Sequence, residues 1–277
     1  MASEKFIEVD DLRTRYLENG RGPPVLLLHG ASLGSSADVW TQNIPAFAEH
    51  GFRVFAFDQP GFGLSDNPPD HSVAYRKRFI LAFMDALKID RAHLIGHSQS
   101  GRIAIDLAFA QPPRIAKVVV LGTGSLLPPL PGGGKPNEAR EGEEGGAAEP
   151  TLEETRALLE ANLYRHDLIT PAVLAERHRM SVGKNFEAFA ARKQSGRDQG
   201  EKAEKTATPL WQRLSECPAP LLLLYGNQDR GATAERAALA KQRYPRLNLH
   251  LIDRCKHLVQ WDAAEEFVAL STRFLSN

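Results

Sequence analysis

The stretch AHLIGHSQSG at positions 92–101 decides the fold. Its first residues, Ala92–Ile95, form a short and largely apolar run, typical of a strand buried on both faces of a sheet. The residues after the turn have the apolar spacing of a helix, and Gly96 and Ser100 are small enough for strand and helix to approach each other. This order of elements predicts a strained turn that exposes the hydroxyl of Ser98 at the end of the strand.

Outward from this turn, short apolar strands alternate with helical segments along most of the chain. Such alternation predicts a mostly parallel sheet with helices on both faces. The predicted strands are Phe6–Val9, Arg13–Leu17, Val25–Leu28, Arg53–Phe57, Ala92–Ile95, Lys117–Leu121, Leu221–Tyr225 and Asn248–Ile252. The predicted helices are Thr41–Glu49, Ser72–Leu87, Gln99–Ala110, Thr151–Tyr164, Pro171–Ser181, Ser181–Lys193, Thr233–Gln242 and Ala263–Phe274.

A long interval between the sixth and seventh strands breaks the alternation. It begins with residues 128–150, which contain six Gly and five Pro, so they bury too little apolar surface to offset their ordering entropy. We predict a flexible segment there, followed by helices that begin at the capping-box pair Thr151 and Glu154 and at Thr170. The predicted organisation is a core of residues 1–127 and 208–277 with a helical cap at 128–207.

A serine hydroxyl is a weak nucleophile and needs a neighbouring base. His257 is the favoured base because it follows the last predicted strand and precedes the last helix. His29 is expected to have a structural role, and His97 is expected to point away from the site because it adjoins Ser98 in a tight turn. The sequence therefore predicts catalysis by Ser98 and His257.

The base needs a carboxylate to fix its tautomer and stabilise its cation. Asp229 lies in the turn after the seventh strand, which places it at the same sheet edge as Ser98 and His257. The chain order serine, aspartate, histidine fits this assignment. Asp253 is the main competitor, although it ends a strand directly and lies close to His257 in the chain.

Backbone N–H groups are expected to stabilise a negatively charged oxygen formed by attack of Ser98. One donor is the N–H of Gln99, at the start of the helix after the turn. The second should come from the loop after the third strand, where Ala31 is preferred and Ser32 is the near alternative.

Composition excludes several classes of function. Lys and Arg total 34, as do Asp and Glu, so the net charge is zero and a nucleic-acid partner is not expected. No apolar run approaches the roughly 20 residues that span a membrane. The N-terminal residues lack an apolar signal core, and Cys217 and Cys255 are the only cysteines, which favours a reduced, cytoplasmic protein. No metal-ligand spacing is present, and no cofactor is expected.

Five motifs make the chain resemble the α/β-hydrolase family over nearly its whole length. The resemblance implies an eight-stranded, mostly parallel sheet with a helical cap after strand six. The motifs are LLLHG at 26–30, FDQPGFGLSD at 57–66, GHSQSG at 96–101, YGNQD at 225–229 and CKH at 255–257.

Within that family, the chain resembles the meta-cleavage product hydrolases, which cleave carbon–carbon bonds in aromatic degradation. The residues that carry this resemblance are CKHLVQW at 255–261, which includes Trp261, and DLITPAVLAER at 167–177. The family's asparagine before the nucleophile is replaced here by His97. The resemblance implies a 2-hydroxy-6-oxo-hexa-2,4-dienoate substrate. Ser32 and Trp261 are further candidate substrate-binding residues, although packing is the favoured role for Trp261.

Arg177 lies on the apolar stripe of its predicted helix, so its guanidinium needs an anionic or hydrogen-bonding partner. Two interpretations stay open: a clamp for a substrate carboxylate, which the resemblance favours, and an internal ion pair with a carboxylate such as Asp167.

We therefore predict an enzyme that acts on a small, carboxylated molecule. A carboxylesterase or lactonase with the same triad is the alternative, and a ligand receptor on the same fold is a third interpretation. A homodimer is one candidate for the assembly.

Overall fold

The computed structural model describes residues 2–132, 148–202 and 208–277, with the side chains of 196–202 left out. Its sheet has eight strands in the order β1-β2-β4-β3-β5-β6-β7-β8. The pairs β1–β2 and β2–β4 are antiparallel, and the other pairs are parallel, which confirms the predicted fold class. The strands are β1 (Ser3–Val9), β2 (Leu12–Asn19), β3 (Pro24–Leu28), β4 (Arg53–Phe57), β5 (Ala92–His97), β6 (Ile115–Leu121), β7 (Leu221–Gly226) and β8 (Leu249–Ile252).

Helices flank the sheet and connect the parallel strands. They are α1 (Ile44–Glu49), α2 (Val73–Ala86), α3 (Gln99–Ala110), α4 (Leu152–Asn162), α5 (Pro171–Arg179), α6 (Lys184–Lys202), α7 (Thr233–Arg243), α8 (Val259–Asp262) and α9 (Ala264–Ser276). Short 3-10 turns occupy Ala37–Trp40, Gly124–Leu126, His166–Leu168, Leu210–Gln212 and Leu214–Glu216. No helix in the described ranges is long and apolar enough to cross a membrane.

Strand β3 shows why the core has two halves. Successive side chains of a strand point to opposite faces of the sheet. Leu26 and Leu28 therefore join the apolar cluster on one face, whereas Val25 and Leu27 join the cluster on the other. All four are fully buried, as expected for a strand covered by helices on both sides.

Helices α4, α5 and α6 lie between β6 and β7, where the sequence predicts a cap. Thr151 and Glu154 form the predicted capping box: the hydroxyl of Thr151 accepts from the Glu154 N–H at 3.1 Å, and the Glu154 carboxylate accepts from the Thr151 N–H at 2.7 Å. The hydroxyl of Thr170 accepts from the Val173 N–H and caps α5. Much of the segment predicted to be flexible, 128–150, lies outside the described residues, and the division into core and cap stays a prediction.

The inserted helices pack against the loop that follows β8. Leu159, Leu163, Ile169 and Leu174 form a separate apolar cluster with Leu258, the residue after His257. The carboxylate of Asp262 fixes the same junction, because it accepts from the N–H groups of Tyr164, Arg165 and Lys256. These contacts place α4 and α5 above the carboxyl edge of the sheet.

Candidate active site

Ser98 stands at the end of β5 in a backbone conformation that few side chains adopt. Its φ of 55° and ψ of −126° lie outside the strand and helix regions. A Cβ on Gly96 would collide with the carbonyl oxygen of Ser100, and one on Gly101 would collide with the hydroxyl of Thr123. The small residues therefore permit the close strand–helix approach that the turn requires.

His257 and Asp229 meet although they lie in different loops. The Nδ1 of His257 is 3.1 and 3.2 Å from the two carboxylate oxygens of Asp229. With Nδ1–H as the donor, Nε2 is left as the proton acceptor. Asp253, the competitor, is exposed and accepts from the side-chain amide of Asn227 at 2.6 Å. The structure thus brings Asp229 to the histidine, and Asp253 lies elsewhere.

Ser98 and His257 line one cavity that is partly open to solvent. Its walls come from the loops after β3, β5, β7 and β8 and from two of the inserted helices. Within the described residues the hydroxyl of Ser98 makes no hydrogen bond; such bonds often tighten only when substrate is bound. The lining residues are Ser32, His97, Ser98, Leu158, Leu159, Asn162, Arg177, Arg230, His257 and Leu258.

The predicted N–H donor of Gln99 is held in place through the carbonyl of Ser98. That carbonyl accepts from the hydroxyl of Thr123 at 2.6 Å and from the N–H of Gly101 at 3.0 Å. The Ser98 carbonyl and the Gln99 N–H belong to one planar peptide, so fixing the carbonyl also fixes the direction of the N–H.

The N–H of Ala31 is held by the same principle. Nδ1 of His29 donates to the carbonyl of Gly30 at 2.7 Å, and this carbonyl shares its peptide plane with the Ala31 N–H. The tautomer is fixed because Nε2 of His29 accepts from the N–H of Gln59 at 3.0 Å. Burial lowers the pKa of His29 to about 3, so the ring stays neutral. His29 therefore has the structural role expected from the sequence.

Arg177 lines the same cavity, and no carboxylate among the described residues pairs with it. Its Nη2 donates to the hydroxyl of Ser32 at 2.8 Å, and its Nε has no hydrogen-bond partner within the described residues. Burial lowers the pKa of Arg177 to about 10, which leaves it charged at neutral pH. Asp167 instead pairs with Arg165 at 2.7 Å, so the internal ion pair with Asp167 does not form.

The sequence model of the alpha/beta hydrolase fold matches residues 23–264. This chain belongs to the α/β-hydrolase family. It is 30% identical to the 2-hydroxy-6-oxononadienedioate/2-hydroxy-6-oxononatrienedioate hydrolase of Burkholderia vietnamiensis, over 99% of this chain and 96% of that protein.

Solved structures give two further matches for this hydrolase. A meta-cleavage product hydrolase from Pseudomonas fluorescens, CumD, superposes with a TM-score of 0.81 at 27% identity, covering 98% of this chain and 97% of the other. Est816, described as an N-acyl homoserine lactone degrading enzyme, superposes with a TM-score of 0.70 at 28% identity, covering 98% of this chain and 100% of its own.

The expectation that His97 points away from the site is wrong. In the hydrolase its Nε2–H donates to the carbonyl oxygen of His257 at 3.1 Å, and the two imidazole rings lie 4.9 Å apart. Burial, and then the charges of His257 and Arg177, hold the pKa of His97 well below its ordinary value, so the ring is neutral. One signal in the sequence could have indicated this position of His97: it replaces the asparagine that the meta-cleavage product hydrolases have before the nucleophile.

Trp261 is absent from the residues that line this cavity. Its indole N–H donates to the carbonyl of Val39 at 2.7 Å, and its ring packs against the apolar cluster around Leu258. The structure thus places Trp261 at the junction of the inserted helices with the sheet, and its predicted contact with substrate stays a prediction. Among the described residues, no group of three or more His, Cys, Asp or Glu side chains could hold a metal ion.

Proposed function

We propose that this hydrolase cleaves a carbon–carbon bond in a 2-hydroxy-6-oxo-hexa-2,4-dienoate-type ring-fission product of aromatic degradation. The observation that carries the proposal is Arg177, a buried cation that shares one cavity with Ser98 and His257 and has no carboxylate partner in the described chain. A carboxylated substrate supplies the missing anion. The names of the full-length relatives point to the same chemistry.

The substrate's carboxylate would bind the guanidinium of Arg177, with the hydroxyl of Ser32 beside it. Tautomerisation to the 2-keto form makes the carbon chain next to the distal ketone an electron acceptor. Nε2 of His257 then takes the proton of Ser98 while its oxygen attacks that ketone. The developing oxyanion accepts from the N–H groups of Ala31 and Gln99, and losing one such donor typically slows catalysis about 100- to 1000-fold.

Collapse of this intermediate breaks the carbon–carbon bond, and the electron pair of that bond moves along the conjugated chain to the 2-keto oxygen. The dienolate that leaves takes up on this oxygen the proton that His257 had accepted. The products of this half-reaction are an ester of Ser98 and a 2-hydroxypentadienoate. Water, deprotonated by His257, hydrolyses the ester and releases a carboxylic acid. An alternative route, in which His257 activates a water molecule that attacks the distal ketone directly, gives the same products. Neither route needs a metal or an organic cofactor.

The inserted helices act in this proposal as a cap, residues 128–207, over a core of 1–127 and 208–277. Support comes from the side chains that line the cavity from above: Arg177 on α5, and Leu158 and Leu159 on α4. The backbone carbonyl of Asn162 also accepts from the N–H of Leu258, beside the catalytic histidine. Such a cap would exclude water and hold the carboxylate end of the substrate.

The test follows two substrates with one enzyme preparation. Loss of the absorbance of the yellow dienolate is measured beside cleavage of a p-nitrophenyl ester, with Ser98→Ala as the inactive control. We expect rapid dienolate loss that Ser98→Ala abolishes. Rapid ester turnover with an untouched dienolate would overturn the proposal.

A carboxylesterase or lactonase is the second candidate, favoured by the likeness to the lactone-degrading Est816. It needs the same triad but gives Arg177 no carboxylate to bind. In the test above, rapid cleavage of the p-nitrophenyl ester with an unchanged dienolate would support this second candidate. A ligand receptor is disfavoured by the pairing of His257 with Asp229, and any turnover that Ser98→Ala abolishes counts against a receptor.

The proposed partner is a small, carboxylated molecule, and the proposal includes neither nucleic acid nor a membrane. A cytoplasmic location and a homodimer are further predictions. Light scattering of the purified protein measures the assembly.

A further inference from the structure

Arg76, on α2, is a second buried cation without a carboxylate partner in the described chain. Its side chain is 2% exposed, and all its hydrogen bonds go to neutral oxygens. Nε and Nη2 donate to Oε1 of Gln59 at 3.2 and 2.7 Å, Nη2 also donates to the hydroxyl of Ser100 at 3.2 Å, and Nη1 donates to Oε1 of Gln99. Burial lowers the pKa of Arg76 to about 10, so it remains charged at neutral pH. A buried charge of this kind is costly to keep.

Two hydrogen-bond partners of Arg76, Gln59 and Ser100, also bond to His29, which positions the Ala31 amide. The side-chain amide of Gln59 and the hydroxyl of Ser100 both donate to the carbonyl of His29, at 2.8 and 2.6 Å. The backbone N–H of Gln59 also holds the ring of His29, which in turn fixes the peptide plane carrying the Ala31 N–H. Arg76 therefore supports one half of the oxyanion site through Gln59 and Ser100.

The third partner leads to the other amide. Gln99 contributes its backbone N–H to the oxyanion site and its side-chain oxygen to Arg76. Gln99 and Ser100 are the first residues of α3, so Arg76 bonds to the helix start that carries the nucleophile turn. One guanidinium thus contacts the start of α3 directly and is linked to the loop of Ala31 through Gln59 and Ser100.

We propose that Arg76 is a positioning residue for the oxyanion site: it holds the Ala31 and Gln99 amides in register, and its charge favours negative charge on the reacting oxygen. This inference rests on the oxyanion role given to those amides in the proposed function. Fixed dipoles and charges in a site of low polarity stabilise developing charge without reorganising during the reaction. The effect is therefore expected in the chemical step, with little change in substrate binding.

The main experiment compares Arg76→Gln with Arg76→Lys and with Arg114→Gln, a matched control for an arginine outside the site. Arg114 is partly exposed and pairs with Asp85. We expect Arg76→Gln to lower kcat about 10- to 100-fold with KM within about twofold. Loss of the guanidinium shifts the Ala31 and Gln99 N–H groups from their best positions but removes neither of them. Arg76→Lys, which keeps the charge, should recover part of kcat, and Arg114→Gln should match the parent enzyme.

A binding measurement separates positioning from a merely structural role. A trifluoromethyl ketone, which adds Ser98 to form a tetrahedral oxyanion, should bind Arg76→Gln about 10- to 100-fold more weakly, in line with kcat. Binding of uncleaved substrate to the Ser98→Ala protein should change little when Arg76→Gln is added. Equal weakening of both ligands, or a kcat within twofold of the parent, would overturn the proposal.

If Arg76→Gln does not fold, Gln99→Met removes one contact of Arg76 while leaving the backbone amide in place. A fall in kcat with unchanged KM supports the proposal, and an unchanged kcat overturns it. The same comparisons are made with a p-nitrophenyl ester, since ester hydrolysis also passes through an oxyanion. If the parent enzyme does not cleave the dienolate, the proposed substrate is refuted. If Arg76→Gln then lowers ester turnover, the positioning role of Arg76 is still supported.

Discussion

Buried arginines occupy two regions of this molecule, and their partners differ. Arg15, on β2, is 5% exposed and pairs with Glu4 at 2.6 Å, Asp38 at 2.7 Å and Asp58 at 3.3 Å. Arg177, above the carboxyl edge of the sheet, is 8% exposed and bonds only to the hydroxyl of Ser32 within the described chain.

The pKa values follow from these partners. Burial alone would lower the pKa of Arg15, but the hydrogen bond to Asp38 and the charges of Asp58 and Asp38 outweigh it and raise the pKa. For Arg177 burial has no such opponent, and the pKa falls. The fold neutralises the first charge internally, whereas no carboxylate of the described chain neutralises the second; in the proposed function the substrate carboxylate would do so.

The largest expected effect tests the Arg15 side of this comparison. Arg15→Met leaves the fully buried Asp58 without its cationic partner. We expect the free energy of unfolding to fall by about 3–5 kcal/mol, with kcat/KM within about twofold of the parent. Urea unfolding followed by circular dichroism measures the first quantity. The double variant Arg15→Met/Asp58→Asn should regain part of the loss; a loss of activity at unchanged stability would contradict the structural role.

Arg177→Met tests the arginine without a carboxylate partner in the described chain. In contrast to Arg15→Met, it should lower activity and leave stability unchanged or higher. We expect kcat/KM for the carboxylated dienolate to fall about 100- to 1000-fold, because the carboxylate loses its buried partner. Turnover of a neutral ester should stay within a fewfold of the parent. The free energy of unfolding should stay level or rise by about 1–2 kcal/mol, because an unpartnered buried cation is removed. Equal losses on both substrates would mean that Arg177 is no carboxylate clamp.

Asp262 extends the comparison to a buried carboxylate. Unlike Asp58, which pairs with Arg15, the Asp262 carboxylate accepts hydrogen bonds from backbone N–H groups. Asp262→Asn weakens the junction between α4 and the loop of His257. We expect a loss of about 1–2 kcal/mol in the free energy of unfolding. Hydrogen exchange of the Tyr164 and Arg165 amides should rise more than that of the β5 amides, and uniform protection would refute a local effect.

The smallest effect is expected at Arg179, two residues after the proposed carboxylate-binding Arg177. Arg179 pairs with Glu176 at 2.6 Å, but their side chains are 54% and 41% exposed. Solvent screening reduces such a pair to a few tenths of a kcal/mol. Arg179→Ala should therefore leave both stability and kcat/KM almost unchanged, and it serves as the control for Arg177→Met. A large loss would show that position on α5, and not the buried charge, governs activity.

The sheet and the nucleophile turn could be predicted because their signals are local. Residues such as Leu26 and Val54 read as buried strand from a few neighbours, and Gly96 marks the turn before Ser98. The strand ends were less accurate: β1 begins at Ser3 instead of Phe6, because pairing with β2 orders polar residues that no apolar pattern marks.

Side-chain partners across the fold could not be predicted in the same way. The sequence left Arg177 between a substrate carboxylate and Asp167, and only the tertiary structure shows that Asp167 pairs with Arg165 while Arg177 contacts Ser32. The orientation of His97 and the contacts of Arg76 likewise depend on loops distant in the chain.

By itself, the amino-acid sequence determined the succession of strands and helices along the chain, and it placed Ser98, Asp229 and His257 in the turns and loops that follow β5, β7 and β8. These follow from backbone sterics and apolar periodicity within short windows. Only the tertiary structure decided which buried charges meet an opposite charge and which do not. That outcome depends on how several elements pack together, and no single stretch of chain encodes it.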